Sequence, residues 1–321
     1  MHEDSTKKAA PLTMEELKEP LTAEERKEAD NPFFIRQLNM FIEAFNSISN
    51  LSNKQRNTVT EQLRDHVKQR SAVNQAIIQN PDILKMEINP VVIVGLRRSG
   101  TTMLHRLLSC DPRFVAPMAF ELLQPCPPGR PKNWRHTQRY KKAQDYLRLE
   151  DGQVPLLKGP VHPLYIDTYL EISPRAKFIF PFRNAKDMVG SCCSIDEKYG
   201  GMTGFEYNKI YSVEYTLKYC GLATSRMVNA IKNNPKDRIL PVSYSEMVRD
   251  PLAAVKEIYA NFDWEVTPQM MENMQRHLEE NKQHKYGKHS YNLENYGLTI
   301  DNVKEHMSEF LEYFGTKENL L

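Results

Sequence analysis

Gly95-Leu-Arg-Arg-Ser-Gly-Thr-Thr102 stands between the apolar run Pro90-Val-Val-Ile-Val94 and a stretch, residues 101–110, whose pattern is helical. A β-branched run that stops at a glycine and reopens as a helix is a cradle for an anion. Backbone N–H groups at the turn and the helix start converge on one point, and the helix dipole favours negative charge there. Thr101 and Thr102 add hydroxyl donors, and Arg98 adds a planar guanidinium that can grip two oxygens at once. The spacing from Gly95 to Gly100 is that of GxxxxGK[ST], but Thr101 occupies the place of the lysine that reaches the β- and γ-phosphates. The expected ligand therefore bears a phosphate but no γ-phosphate, and magnesium is not expected with it.

These residues need a scaffold, and the sequence supplies one from Pro90 onward. VVIVG, VPLLK (154–158), AKFIFPF (176–182) and RILPVSY (238–244) read as four short buried strands. Helical patterns separate them: 101–110, a short one over 163–171, one starting near Asn184, and a long one over 205–233. Asp250-Pro251 reads as an N-cap followed by proline at the first helical position. Further helices are expected to Phe262, from about Thr267 to Asn281, and up to Phe314. Strands alternating with helices give a parallel sheet covered on both faces. Before Pro90, residues 1–30 read as a charged arm or peripheral helix and Pro32 to Ile83 as amphipathic helices. LQPCPPGRPKNWRH (123–136) reads as a Pro-rich loop and YGKHSYNLENYG (286–297) as another.

Composition narrows the function classes. With 321 residues the chain can bury a substantial core, and 40% hydrophobic with 26% charged residues is ordinary for a globular protein. A net charge of +2 argues against a dedicated nucleic-acid surface. No apolar run approaches the ~18 residues of a membrane span, and the N-terminus has no apolar signal core, so a cytoplasmic protein is expected. Cys110, Cys126, Cys192, Cys193 and Cys220 are odd in number and irregularly spaced, which reads as free thiols in a reducing compartment rather than a zinc site.

RSGTT after the first strand, LKGPVHPL, and RNAKDMVGS after a later strand, in that order, resemble the sulfotransferases, enzymes that use 3′-phosphoadenosine 5′-phosphosulfate (PAPS). The resemblance covers residues 85–315. PVVIVGLRRSGTTMLHRLLSCDPRF followed by FELLQPCPP is most similar to the bacterial-type small-molecule branch, while RNAKD is also carried by cytosolic animal enzymes. It implies an α/β, three-layer P-loop-like fold with a central parallel sheet flanked by helices. Residues 85–321 would form that domain, with residues 1–84 as an N-terminal helical extension packing on the core. The loop from Arg98 through Ser99, Gly100 and Thr101 to Thr102, with Arg97 beside it, would hold the 5′-phosphosulfate. Arg183 and Ser191 would take the 3′-phosphate together, although an ion pair with Asp187 is a competing reading of Arg183. Tyr244 would lie near the adenine. Lys285, Gly287 and Lys288 match more loosely a late segment that closes over the nucleotide.

Sulfuryl transfer needs in-line positioning, a base for the acceptor's proton, and positive charge near the leaving oxygen. Under the resemblance Arg98 and Lys158 supply the charge. His162 is the preferred base, since the bacterial-type branch has a histidine four residues after the matching lysine. Glu121 is the competitor, from the neighbourhood in which the tyrosylprotein branch has a glutamate. His105, inside the first helix, reads as structural. The product would be adenosine 3′,5′-bisphosphate and the acceptor a small molecule with a hydroxyl or an amine; its identity is not legible, and a homodimer is left open. The alternatives are a P-loop-type nucleotide kinase, for which no good magnesium carboxylate is visible, and a non-catalytic nucleotide-binding protein, against which Lys158, His162 and Glu121 all count.

Overall fold

The computed structural model of the chain describes residues 9–48, 51–85, 88–117, 122, 154–203, 209–281 and 292–315. Two compact units emerge, one drawn from Met1–Met86, Met118–Arg148 and Gly200–Tyr207, the other from Glu87–Pro117, Leu149–Tyr199 and Asn208–Leu321.

The first unit is helical: α1 (Met14–Lys18), α2 (Ala23–Ala29), α3 (Pro32–Asn46) and α4 (Asn53–Gln79). Each begins where its sequence supplies a cap. Thr13, Thr22, Asn31 and Ser52 accept hydrogen bonds from the first-turn amides, with full capping boxes at Thr22–Glu25 and Ser52–Gln55. Its own core joins Leu12, Leu17, Leu38, Ile42, Phe45, Leu63 and Val67. The buried Arg56 bonds to Glu16 and donates to the Ala10 carbonyl at 2.6 Å.

The second unit is built on a five-stranded parallel sheet in the order β2-β3-β1-β4-β5: β1 (Val91–Val94), β2 (Phe114–Val115), β3 (Val154–Gly159), β4 (Lys177–Phe182) and β5 (Ile239–Ser243). Four of these strands are the four expected. The two-residue β2, beside β3 at the sheet edge, is an addition. Alternation along the strands splits the core. Val92, Val94, Phe178, Phe180 and Phe182 face one layer of helices, and Val91, Ile93 and Ile179 face the other. The first layer holds α6 (Ile166–Ile172), α7 (Ala185–Thr203), α8 (Lys209–Asn233) and, near the C-terminus, α12 (Ile300–His306) and α13 (Ser308–Phe314). The second holds α5 (Thr101–Leu108), α9 (Tyr244–Arg249), α10 (Pro251–Asn261) and α11 (Pro268–Glu280). All four residues of β1 are buried, at about 1.5–3 kcal/mol for each large apolar side chain. That explains why a strand so short holds the middle of the sheet.

The sheet order puts the loop after β1 at a switch point. Chain leaving β1 runs first towards β2 and β3 on one side, and later strands continue on the other side as β4 and β5. In open parallel sheets the crevice outside the carboxyl ends of the strands at such a reversal is where ligands bind. The expected segment 123–136 and residues 286–291 of the segment 286–297 lie outside the described residues, as does Cys126, while residues 293–296 form a 3₁₀ turn; the four other cysteines are free thiols.

Candidate active site

The loop after β1 adopts an unusual backbone. Arg98 has φ 71° and Gly100 φ 90°, both in the left-handed region. For an arginine this costs of order 1–3 kcal/mol, and such strain gathers at functional sites. Gly100 is the N-cap of α5 and brings no side-chain cap to its amides. It must also be glycine for space: a Cβ there would come within 2.6 Å of the Tyr244 ring. A Cβ at Gly95 would come within 2.9 Å of the Ser99 hydroxyl and the Thr101 methyl. The loop is thus folded tightly on itself, with Ser99 fully buried and its hydroxyl donating to the Leu96 carbonyl at 2.7 Å.

Helix α7 braces this loop from one side. Arg98 Nε donates to Ser191 Oγ at 2.9 Å, so the loop arginine and the serine expected at the second anion are already in contact. Arg97 turns away from the loop mouth to meet Asp196 with both its terminal nitrogens, one of them at 3.0 Å, and lies 5.8 Å from the Tyr219 ring centre. Thr216 Oγ1 donates to the same carboxylate at 2.8 Å. Burial alone would ease the proton off Arg97, but the two bonds to Asp196 more than offset it and hold the guanidinium firmly charged.

A cavity of about 390 Å³ opens at the start of α5. Arg98, Gly100, Thr101 and Thr102 line one end of it, and Arg183 and Tyr244 line it as well. Arg183, at the end of β4, makes the ion pair with Asp187 at 2.9 Å, and its guanidinium also lies 4.8 Å from the Tyr244 ring centre. The ion pair with Asp187 thus forms while Arg183 still lines the cavity. Neither Arg97 nor Ser99 lines the cavity; both serve the shape of the loop.

The cavity has walls that sequence reasoning missed. Met103, Arg106 and Leu107 continue along α5, and Pro251, His277, Leu278 and Asn281 close it from α10 and the end of α11. Arg106 could have been found as the residue one helical turn beyond Thr102, on the same face. His277 and Asn281 carried no local signal, since only the tertiary fold brings α11 to α5.

Lys158 and His162 sit at the carboxyl end of β3. Val94 pairs with Gly159, which sets this end level with the start of the loop. Lys158 points towards α5 and reaches Thr102 Oγ1 at 3.4 Å. His162 opens a 3₁₀ turn (His162–Tyr165) and folds its ring back on Gly159, where any Cβ would overlap the ring. Its Nδ1 lies 2.9 Å from the Tyr169 hydroxyl. Burial lowers the His162 pKa, so the ring stays neutral, the form a base needs. Burial likewise lowers that of His105, with the charge of Lys158 acting in the same direction. Glu121, Lys285, Gly287 and Lys288 lie outside the described residues.

Among the described residues no group of His, Cys, Asp or Glu could hold a metal ion, and no helix is long and apolar enough to cross a membrane.

Comparison with known proteins bears on the fold and the family. The fold matches the crystal structure of sulfotransferase STF9 from Mycobacterium avium with a TM-score of 0.81 at 17% identity, over 96% of this chain and 98% of that one. It matches that of sulfotransferase STF1 from Mycobacterium tuberculosis H37Rv with a TM-score of 0.72 at 18% identity, over 93% and 99%. At these identities the likeness is one of fold. No curated protein sequence matches. The model of the sulfotransferase family itself matches residues 90–155 and 144–268, more than half of the sequence and every strand but none of the N-terminal helices. The chain belongs to the sulfotransferase family.

Proposed function

We propose that the protein moves a sulfuryl group from PAPS to a hydroxyl or amine of a small-molecule acceptor. The observation that carries this reading is the shared cavity, in which the anion loop (Arg98, Gly100, Thr101, Thr102) and the strand-end pair Arg183–Tyr244 face the same space. PAPS has a 5′-phosphosulfate at one end, a 3′-phosphate on the ribose, and an adenine. The loop suits the first, Arg183 with Ser191 the second, and Tyr244 and Met103 offer faces for the base.

The chemistry follows from charge development. The acceptor oxygen or nitrogen attacks sulfur in line, the bond from sulfur to the bridging oxygen breaks, and adenosine 3′,5′-bisphosphate leaves with the electron pair. Arg98 and Lys158 stabilise the leaving oxygen, and His162 takes the acceptor's proton. Glu121 remains the competing base.

Binding separates this reading from its rivals. Adenosine 3′,5′-bisphosphate without magnesium should raise the melting temperature, and ATP with magnesium should not; the opposite pattern would favour a nucleotide kinase. A protein that binds the bisphosphate but releases no bisphosphate from PAPS with any hydroxyl or amine acceptor would be a non-catalytic binder.

A further inference from the structure

We propose that Tyr169 is a positioning residue for His162: its phenol oxygen accepts the Nδ1 proton of the imidazole and leaves Nε2 bare at the carboxyl end of β3. The inference rests on the reading of His162 as the base and adds what makes that base competent.

Two contacts fix the ring. The Tyr169 hydroxyl lies 2.9 Å from Nδ1, and the two rings meet edge to face with centroids 5.0 Å apart. On the other side the ring rests on Gly159, whose missing Cβ provides the room, and Nε2 is the nitrogen turned towards that strand end. Among the described residues Nε2 has no hydrogen-bond partner. A proton on Nε2 would be a half-buried donor without an acceptor, whereas a proton on Nδ1 is satisfied by the phenol oxygen.

The surroundings leave this pair to itself. Lys158 projects from the opposite face of β3, towards Thr102. From α8, Tyr219 donates to the Pro160 carbonyl and Arg226 to the Leu164 carbonyl, so both are engaged by backbone. Tyr165 is the other phenol nearby, and burial raises the Tyr169 pKa with the charge of Tyr165 adding to it, so Tyr169 stays a neutral phenol. During transfer the acceptor's proton moves to Nε2 as the sulfur–bridging oxygen bond breaks. The ring then carries both protons, and Nδ1–H still has the phenol oxygen to donate to, so no second group has to move.

The test is the protonation of one ring, read by NMR of protein labelled with ¹⁵N-histidine. Of the nine histidines, His162 is assigned from the signal lost in His162→Ala. At neutral pH the wild-type ring should show a protonated Nδ1 and an unprotonated Nε2. Tyr169→Phe, which removes one oxygen and keeps the ring, should move the His162 signals towards the Nε2–H form and leave the other histidines in place. A wild-type Nε2–H form, or a Tyr169→Phe spectrum identical to wild type, would overturn the proposal; the wild-type spectrum decides by itself should the variant not fold. Because this readout needs no turnover, it stands apart from the base assignment, which fails separately if His162→Ala keeps full transferase activity.

Discussion

At the scale of single residues, the proposed function requires Arg183 to serve two partners in turn. Its pair with Asp187 leaves the carboxylate about half exposed, and a pair of that kind is worth little, with a median near 0–1 kcal/mol. A phosphate with two charges and three acceptor oxygens can draw the guanidinium away at small cost. Arg183→Ala should therefore weaken binding of adenosine 3′,5′-bisphosphate by ~1.5–3 kcal/mol, roughly tenfold to 150-fold, measured by calorimetry. Unchanged affinity would remove Arg183 from the site. His162→Ala should cut turnover by about 10²–10⁴-fold and leave bisphosphate affinity intact. The pKa of His162 is lowered by burial, so the neutral base persists below the ordinary histidine value of about 6.5, and the acidic limb of the kcat/KM profile should lie below that value. The same sign governs stability. An unfolded chain takes up protons at His105 and His162 that the folded chain refuses, so their contribution is present above pH ~6.5 and is lost as pH falls through the lower folded values. Urea midpoints taken between pH 7.5 and 5.5 would check this, and the acid-side loss should shrink in the double variant lacking both rings.

At the scale of elements, the anion loop depends on α7 as much as on its own glycines. Ser191 holds Arg98, the Cys192 thiol donates to the Arg97 carbonyl at 3.4 Å, and Asp196 holds the Arg97 guanidinium, so residues one, two and six along one stretch of helix clamp two consecutive arginines. Asp196→Ala would leave a largely buried Arg97 without its counter-charge. A loss of about 2–4 kcal/mol is expected, with a weaker nucleotide affinity because the left-handed turn at Arg98 loses its support; chemical denaturation and calorimetry would read the two effects. Asp196, bonded by both Arg97 and Thr216, is thus a strut for the loop. Gly100→Ala meets both the left-handed φ and the Tyr244 ring and should abolish nucleotide-induced stabilisation outright. What was legible here was local. VVIV, KFIFPF and ILPVS were readable because a strand buried on both faces is a continuous apolar run, and Asp250-Pro251 because cap chemistry lies within four residues. Phe114–Val115 was not, because two residues show no period. They are held there by pairing with β3 and by a turn in which buried Asp111 takes bonds from Arg113 and Tyr259, a partner 148 positions away. In the same way Arg98, Thr101 and Thr102 could be named from one loop, whereas His277 and Asn281 reach the cavity only through the packing of α11 against α5.

At the scale of the whole molecule, the proposed nucleotide binding would be coupled to folding of the sheet-based unit. The cavity is lined from β4, α5, α9, α10 and α11 together with the loop after β1, so a nucleotide bound there makes contacts that exist only when these elements are assembled. A ligand that binds the folded state alone adds RT ln(1 + [L]/Kd), about 2.7 kcal/mol at a hundredfold excess over Kd. The gain should appear in hydrogen exchange at the amides of β1 and β4, the middle strands, whose residues are almost all buried and whose opening requires the sheet to come apart. Adding adenosine 3′,5′-bisphosphate at that excess should slow exchange there roughly a hundredfold, in step with the calorimetric Kd. Arg183→Ala at the same ligand concentration should show a smaller slowing that matches its own weaker Kd, since the linkage depends only on saturation. Protection confined to the loop after β1, with β4 exchanging as before, would mean that the anion is held by the loop alone. The two-ended grip on the nucleotide would then be wrong, even though the chain would still bind it.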